Sequence, residues 1–295
     1  MFNPPEDLPL PALRAALIDG WSLHTETLEY RPVGFGGHHW TADGRWFVTA
    51  SPPNPRLRAS LSAALALEAA GGSYVVAPVP ARDGSPLVPI GDAYAVTVYP
   101  LITGESFDWD NYTAAHRLAM LDLVVAVHAA PAAVRDLARA DDYELTFPPV
   151  APGPGPYGGQ MAELLDTHAT TVRAARSRYD ELVAGVRAVP PPLVLTHGEP
   201  HPGNTMRAGG RWLLIDWETA LAAPPERDVW HLDGLAELYT EKTGTTLRPE
   251  ILELYRLRWD LTEIAEGVAW FGAPHGDTDD DKETWANLVE SVENL

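Results

Sequence analysis

The spacing of apolar positions changes period several times along the chain, and each change marks an element. Leu10, Leu13, Ala16 and Leu17 recur at helical spacing and predict a leading helix over Leu8 to Trp21. The extended run Thr27 to Val33 leads into a glycine-rich stretch, Gly34-Phe35-Gly36-Gly37-His38-His39. Trp40 to Ala42 and Arg45 to Ala50 read as strands joined by Asp43-Gly44, a two-residue hairpin signal. Pro55 to Gly71 returns to helical spacing and stops at Gly71-Gly72. Tyr74 to Pro78 and Ala93 to Tyr99 read as two more strands, connected through an Asp83-Gly84 turn.

Beyond Pro100-Leu101-Ile102-Thr103-Gly104 the pattern is mostly helical. Asp110 reads as the N-cap of a helix reaching His128. Pro148 to Gly159 is loop, and Gln160 to Val189 predicts one or two helices. Val229 to Tyr239, Pro249 to Phe271 and Lys282 to Asn294 predict three more, with Asp279 to Asp281 complementing the last helix dipole. One β segment interrupts this region. Leu193 to Thr196 is an apolar strand, and Ala208-Gly209-Gly210 turns a hairpin whose second strand, Trp212 to Ile215, runs into Asp216.

Between strand and hairpin lies the most informative loop, His197-Gly198-Glu199-Pro200-His201-Pro202-Gly203-Asn204. Acids and amides populate turns for conformational reasons alone, so no single one of these residues argues for chemistry. Their order does. A carboxylate and an amide stand five positions apart, and the hairpin returns a second carboxylate beside them. Phosphoryl transfer from a nucleotide needs that set: Glu199 to take a hydroxyl proton, Asn204 and Asp216 to hold Mg2+ against the phosphates. The glycines Gly34, Gly36 and Gly37 would let backbone N–H groups approach those phosphates.

Composition narrows the partners. The 295 residues carry a net charge of −20, which argues against nucleic acid and suits a cationic small molecule. No cysteine is present, so disulfides, thiolate metal sites and cysteine nucleophiles are excluded. No basic stretch followed by an apolar one opens the chain, and the longest apolar runs are too short to span a bilayer; a cytoplasmic protein without a membrane partner is expected. Lys242 and Lys282 are the only lysines among 21 basic residues.

At His197, Gly198, His201, Asn204, Asp216 and Trp217 the sequence resembles the aminoglycoside phosphotransferase and choline kinase group, a branch of the protein-kinase-like superfamily. The resemblance runs from about Leu28 to Phe271. It implies an α+β, bilobal kinase-like fold: a small antiparallel-sheet lobe with one long helix over residues 1–98, and a larger, mainly helical lobe over 99–295. It implies ATP or GTP as co-substrate, held by Gly34, Gly36, Gly37 and His38, with backbone groups at Tyr99 and Leu101 meeting the base. It assigns His197 and Asp228 structural roles at the loop. Glu218 would take a metal edge or a substrate amine. Trp259, Asp260 and Glu263, at helical spacing, would offer an aromatic and acidic face to an amine-bearing hydroxyl acceptor such as an aminoglycoside or aminocyclitol.

Two departures stand out. Glu199 replaces the group's usual aspartate, one methylene longer. The third strand, Trp46 to Ser51, lacks the group's phosphate-pairing lysine, and Arg31, Arg45, His38 and His39 all stand as alternatives. These departures keep a second reading in play, a kinase-fold protein that binds nucleotide or ligand without catalysing transfer.

Overall fold

A computed structural model of the chain describes residues 1–34, 36–232 and 234–295. Phe35 of the glycine-rich stretch and Asp233 of the expected Val229–Tyr239 helix therefore lie outside the described residues. Contacts divide the chain into two units, residues 1–141 with 193–245, and residues 142–192 with 246–295. The lobe limit expected at residue 98 falls inside the first unit.

The first unit opens with helix α1 (Leu10–Trp21) and an antiparallel sheet built from β1 (Leu28–Arg31), β2 (His38–Ala42), β3 (Trp46–Ser51), β4 (Val88–Ile90) and β5 (Tyr94–Pro100), in the order β1-β2-β3-β5-β4. Helix α2 (Leu57–Ala69) links β3 to β4. Alternation sorts the sheet's side chains onto two faces. Trp40, Ala42, Val48, Ala50, Val96 and Val98 point to one face and form a core with Leu13 and Leu17 of α1. Phe47, Thr49 and Ser51 of β3, with Thr97 and Tyr99 of β5, take the other; Phe47 packs there with Tyr99, Val76 and Leu213.

Tyr74 to Pro78 is not a sheet strand. It makes one bridge, Leu214 N–H donating to the Tyr74 carbonyl at 2.7 Å and Val76 N–H to the Leu214 carbonyl at 3.1 Å. Pro78 and Pro80 offer no N–H to extend it, and the strand beside β5 is instead Val88–Ile90. The helix expected from Asp110 also begins elsewhere. Asp108 caps a single 3-10 turn, Trp109–Asn111, and Thr113 caps α3 (Ala114–His128) by accepting from His116 N–H at 3.2 Å.

Later in this unit come β6 (Glu105–Ser106), β7 (Val194–Thr196), β8 (Thr205–Ala208), β9 (Arg211–Leu214) and β10 (Leu221–Ala223). β8 and β9 form the expected hairpin, with β6 added on the β8 edge, and β7 pairs with β10. The helix expected over Val229 to Tyr239 is two shorter ones, Glu226–Val229 and Ala236–Thr243.

The second unit is helical: Gly158–Thr167, Ala169–Ala188, Pro249–Gly272 and Asp279–Glu293. Met161, Leu165, Ile264, Val268, Phe271 and Leu288 form its core. Thr278 and Asp281 close a capping box on the last helix, so the acidic triplet forms its first turn. Among the described residues no helix is long and apolar enough to cross a membrane.

Candidate active site

β7 delivers the loop. Thr196 is the last strand residue, and its hydroxyl donates to the Leu221 carbonyl at 2.9 Å while accepting from Arg227 at 2.8 Å. The chain then turns at Gly198, where φ is +104°. The backbone angle favours glycine, and a Cβ there would also push against the Arg227 guanidinium. Arg227 also donates to the Thr219 carbonyl at 2.8 Å, tying the loop to the segment after Asp216.

Asp228 holds the loop from beneath. Its carboxylate accepts the His197 N–H at 2.9 Å and the Gly198 N–H at 2.7 Å. His128 donates to the same carboxylate at 3.0 Å and meets the Tyr239 hydroxyl at 2.8 Å on its other nitrogen. Burial alone would raise the Asp228 pKa. The hydrogen bond and charge of His128, with Arg227 and His197, outweigh it and bring the carboxyl down to about 2.

His197 spans the loop and the hairpin. Its Nε2–H donates to the Ile215 carbonyl at 2.9 Å, and its Nδ1 accepts the Glu199 N–H at 3.3 Å. Burial lowers its pKa, consistent with a neutral ring of that tautomer. The hairpin register pairs Thr205 with Leu214, and one residue further out Ile215 N–H donates to the Asn204 carbonyl at 2.9 Å. Asn204 and Asp216 therefore flank the open end of the same hairpin. The Asn204 amide nitrogen donates to the Glu199 carbonyl at 3.0 Å and faces His201 Nε2 at 3.2 Å. That fixes the amide orientation and turns Oδ1 the other way.

Asp216 adopts φ +61°, a left-handed conformation that costs a non-glycine residue energy and clusters at functional sites. Trp217, fully buried, braces it by donating from Nε1 to the Leu214 carbonyl at 3.0 Å. Asp216 is exposed as a residue, yet surrounding protein desolvates its carboxyl enough to raise the pKa against the pull of His197. Glu218 lies next to it and accepts the Ser51 hydroxyl at 3.1 Å. Burial, then repulsion from Asp216, raises its pKa to about 7. Tyr99, behind them, is raised by burial and by the same two carboxylates. Crowded acids of this kind are short of positive charge.

The sequence profile of the phosphotransferase enzyme family matches residues 38–266. The chain belongs to that family. Protein StrN of Streptomyces griseus is 32% identical over 286 residues, covering 89% of this chain and 85% of the relative. Among solved structures, a spectinomycin phosphotransferase in complex with ADP and spectinomycin superposes with a TM-score of 0.68, 14% identity and 96% of each chain covered. An amicoumacin kinase with AMP-PNP and Ca2+ gives 0.63 at 13% identity, over 97% of this chain and 93% of the other. A microcompartment-associated aminopropanol kinase gives 0.61 at 13%, covering 96% and 95%. At these identities the structures establish the fold: an antiparallel sheet of five strands followed by a mainly helical region, α+β and kinase-like.

Within the family frame, Glu199 and Asn204 share one loop, bonded to the hairpin that leads into Asp216 and Glu218, with His197 and Asp228 bonded to the loop backbone. Two expectations need correcting. His38 faces the α1 side of the sheet, its Nδ1 at 3.1 Å from the Tyr30 hydroxyl, and His39 takes the side with Ser51. Leu101 spends its N–H on the Arg45 carbonyl at 2.9 Å, which removes that donor from base recognition. Gly34 and Gly36 have φ +68° and +82°, left-handed conformations that favour glycine. Trp259, Asp260 and Glu263 lie in the second unit on Pro249–Gly272. Asp260 is buried, with a raised pKa, and Glu263 is pushed to about 7 by burial and then by Glu266, Asp260 and Glu290. Sequence reading missed Ser51 as the partner of Glu218 and Arg227 as the brace of Gly198. Alternation along β3 carried a signal for the first; the second depends on chain reversal through Thr219 and carried none.

Proposed function

We propose that this chain transfers the terminal phosphoryl group of ATP or GTP to a hydroxyl of a small cationic molecule of aminocyclitol or aminoglycoside type. One observation supports the reading: a single bonded network, from Asp228 through His197, ties the backbone of the Glu199–Asn204 loop to the end of the hairpin that runs into Asp216. Glu199 accepts the acceptor's hydroxyl proton as the new O–P bond forms and the bond to the departing nucleoside diphosphate breaks. Asn204 contributes Oδ1, since its nitrogen is already committed to Glu199 and His201. The donor set suits a hard cation, being amide and carboxylate oxygen without sulfur. Mg2+ held by Asn204 and Asp216, with Glu218 beside them, would neutralise phosphate charge. Among the described residues no group of three or more His, Asp or Glu forms a ready-made metal cage; a magnesium ion shared with phosphates needs only one or two carboxylates.

A cationic acceptor fits the net charge of −20 and the acids whose pKa values are raised by burial and, at Glu218 and Glu263, by neighbouring carboxylates. The test is transfer of γ-labelled phosphate from ATP or GTP, with Mg2+, to a panel of aminocyclitols, aminoglycosides, choline-like alcohols and homoserine-like amino alcohols. Label should appear on an amine-bearing acceptor. Nucleotide binding with no transfer to any panel member would favour the non-catalytic reading.

A further inference from the structure

Beneath the glycine turn one basic ring faces the two crowded carboxylates' side of the sheet. His39 stands opposite Thr49 in the β2–β3 ladder, on the face that also carries Phe47 and Ser51. Its ring stacks on Phe47 at a centroid distance of 5.1 Å and 24° between planes, and its Nδ1 lies 3.0 Å from Thr49 Oγ1. Gly34 and Gly37 stand against it. A Cβ on Gly34 would lie 3.3 Å from His39 Nε2, and one on Gly37 would lie 3.2 Å from Ser51 Oγ, 3.3 Å from Thr49 Cγ2 and 3.5 Å from His39 Cε1. Glycine at these positions keeps that ring edge within reach of whatever the turn holds.

The other basic candidates are placed differently. Arg45 lies over the Trp46 ring at 5.7 Å, and His38 is engaged with Tyr30 on the opposite face. Arg31 pairs with His39 in the β1–β2 ladder and shares its face, but it is exposed and one strand further from Ser51 and Glu218.

We propose that His39 is the residue that positions the nucleotide phosphates, donating from Nε2–H, with the Thr49 hydroxyl donating to Nδ1 to fix that tautomer. This deepens the nucleotide reading above and rests on it. Burial, with lesser contributions from the amino terminus and His38, lowers the His39 pKa to about 4. The ring is thus neutral near pH 7 and acts as an oriented hydrogen-bond donor, not as a fixed cation. An unprotonated Nε2 would instead repel phosphate oxygen, so the Thr49 hydrogen bond decides the sign of the interaction.

Competition binding separates the phosphate contact from a structural role. Whichever of ADP and GDP the wild-type protein binds is compared with its own nucleoside, in Mg2+ buffer at pH 7.5. His39→Ala should weaken the diphosphate about ten- to a hundredfold and leave the nucleoside within about twofold. His39→Gln, which offers an N–H near the Nε2 position, should recover most of the loss. Thr49→Val should weaken the diphosphate selectively, and Arg31→Ala should do so less than His39→Ala. Unchanged diphosphate affinity in His39→Ala, equal loss for nucleoside and diphosphate, or a loss confined to Arg31→Ala would overturn the assignment. Wild-type protein binding neither ligand would overturn the nucleotide reading itself, and this inference with it.

Discussion

Glu199 is where one methylene has most consequence. Its backbone is pinned on both sides, with the N–H on His197 and the carbonyl on Asn204. The longer side chain therefore moves only the carboxylate, while the loop keeps its course. In the proposed role of proton acceptor Glu199 would contribute about 10²- to 10⁴-fold to rate, and Glu199→Gln should lose turnover on that order while nucleotide affinity is retained. Glu199→Asp tests reach, because shortening draws the carboxylate back by about 1 Å, a displacement that can cost about a hundredfold. Steady-state kinetics beside equilibrium binding distinguishes the two quantities. Parallel loss of binding and rate in Glu199→Gln would mean that the residue holds ligand instead of accepting a proton.

At the scale of elements, the loop and hairpin behave as one piece because Asp228, from the short Glu226–Val229 helix, fastens two consecutive loop N–H groups. The amide of Asp228→Asn would repel one of the groups its carboxylate accepts. The variant should lose about 2–3 kcal/mol of stability, read from urea unfolding midpoints, together with most of its activity. A variant of unchanged stability would show that the buried carboxylate is dispensable to the loop. Much of this element was legible beforehand, since the β hairpin and its glycine turn follow from local spacing, as does the Asp43-Gly44 hairpin. What was not legible depends on partners distant in sequence. Val88–Ile90 carries a proline and reads poorly as a strand, yet β5 supplies its ladder. Tyr74 to Pro78 has strand character but makes a single bridge to Leu214 on the β9 edge, since Pro78 and Pro80 offer no N–H to continue it. The difference between His38 and His39 is one residue of register, which decides which ring faces the glycine turn.

For the whole molecule, the excess of acid sets the pH behaviour. Glu263 shows the sign most clearly. Its pKa rises from an ordinary 4.5 to about 7 in the folded chain, first through burial and then through Glu266, Asp260 and Glu290. The folded state thus holds more protons than the unfolded one between those values, and stability is lost as pH rises through that window. Glu263→Gln should raise the thermal midpoint at pH 8, with the gain shrinking through pH 7 and vanishing below 4.5. A gain of equal size at pH 4 and pH 8 would refute the electrostatic origin. The same shortage of positive charge at Asp216 and Glu218 underlies the account of the active site, and titration calorimetry tests it there most directly. The nucleotide diphosphate is titrated with Mg2+ or with EDTA into wild-type and Asp216→Asn protein. Wild type should bind more tightly with Mg2+, and Asp216→Asn should lose that metal-dependent difference. A metal-dependent gain of the same size in both proteins would contradict the account.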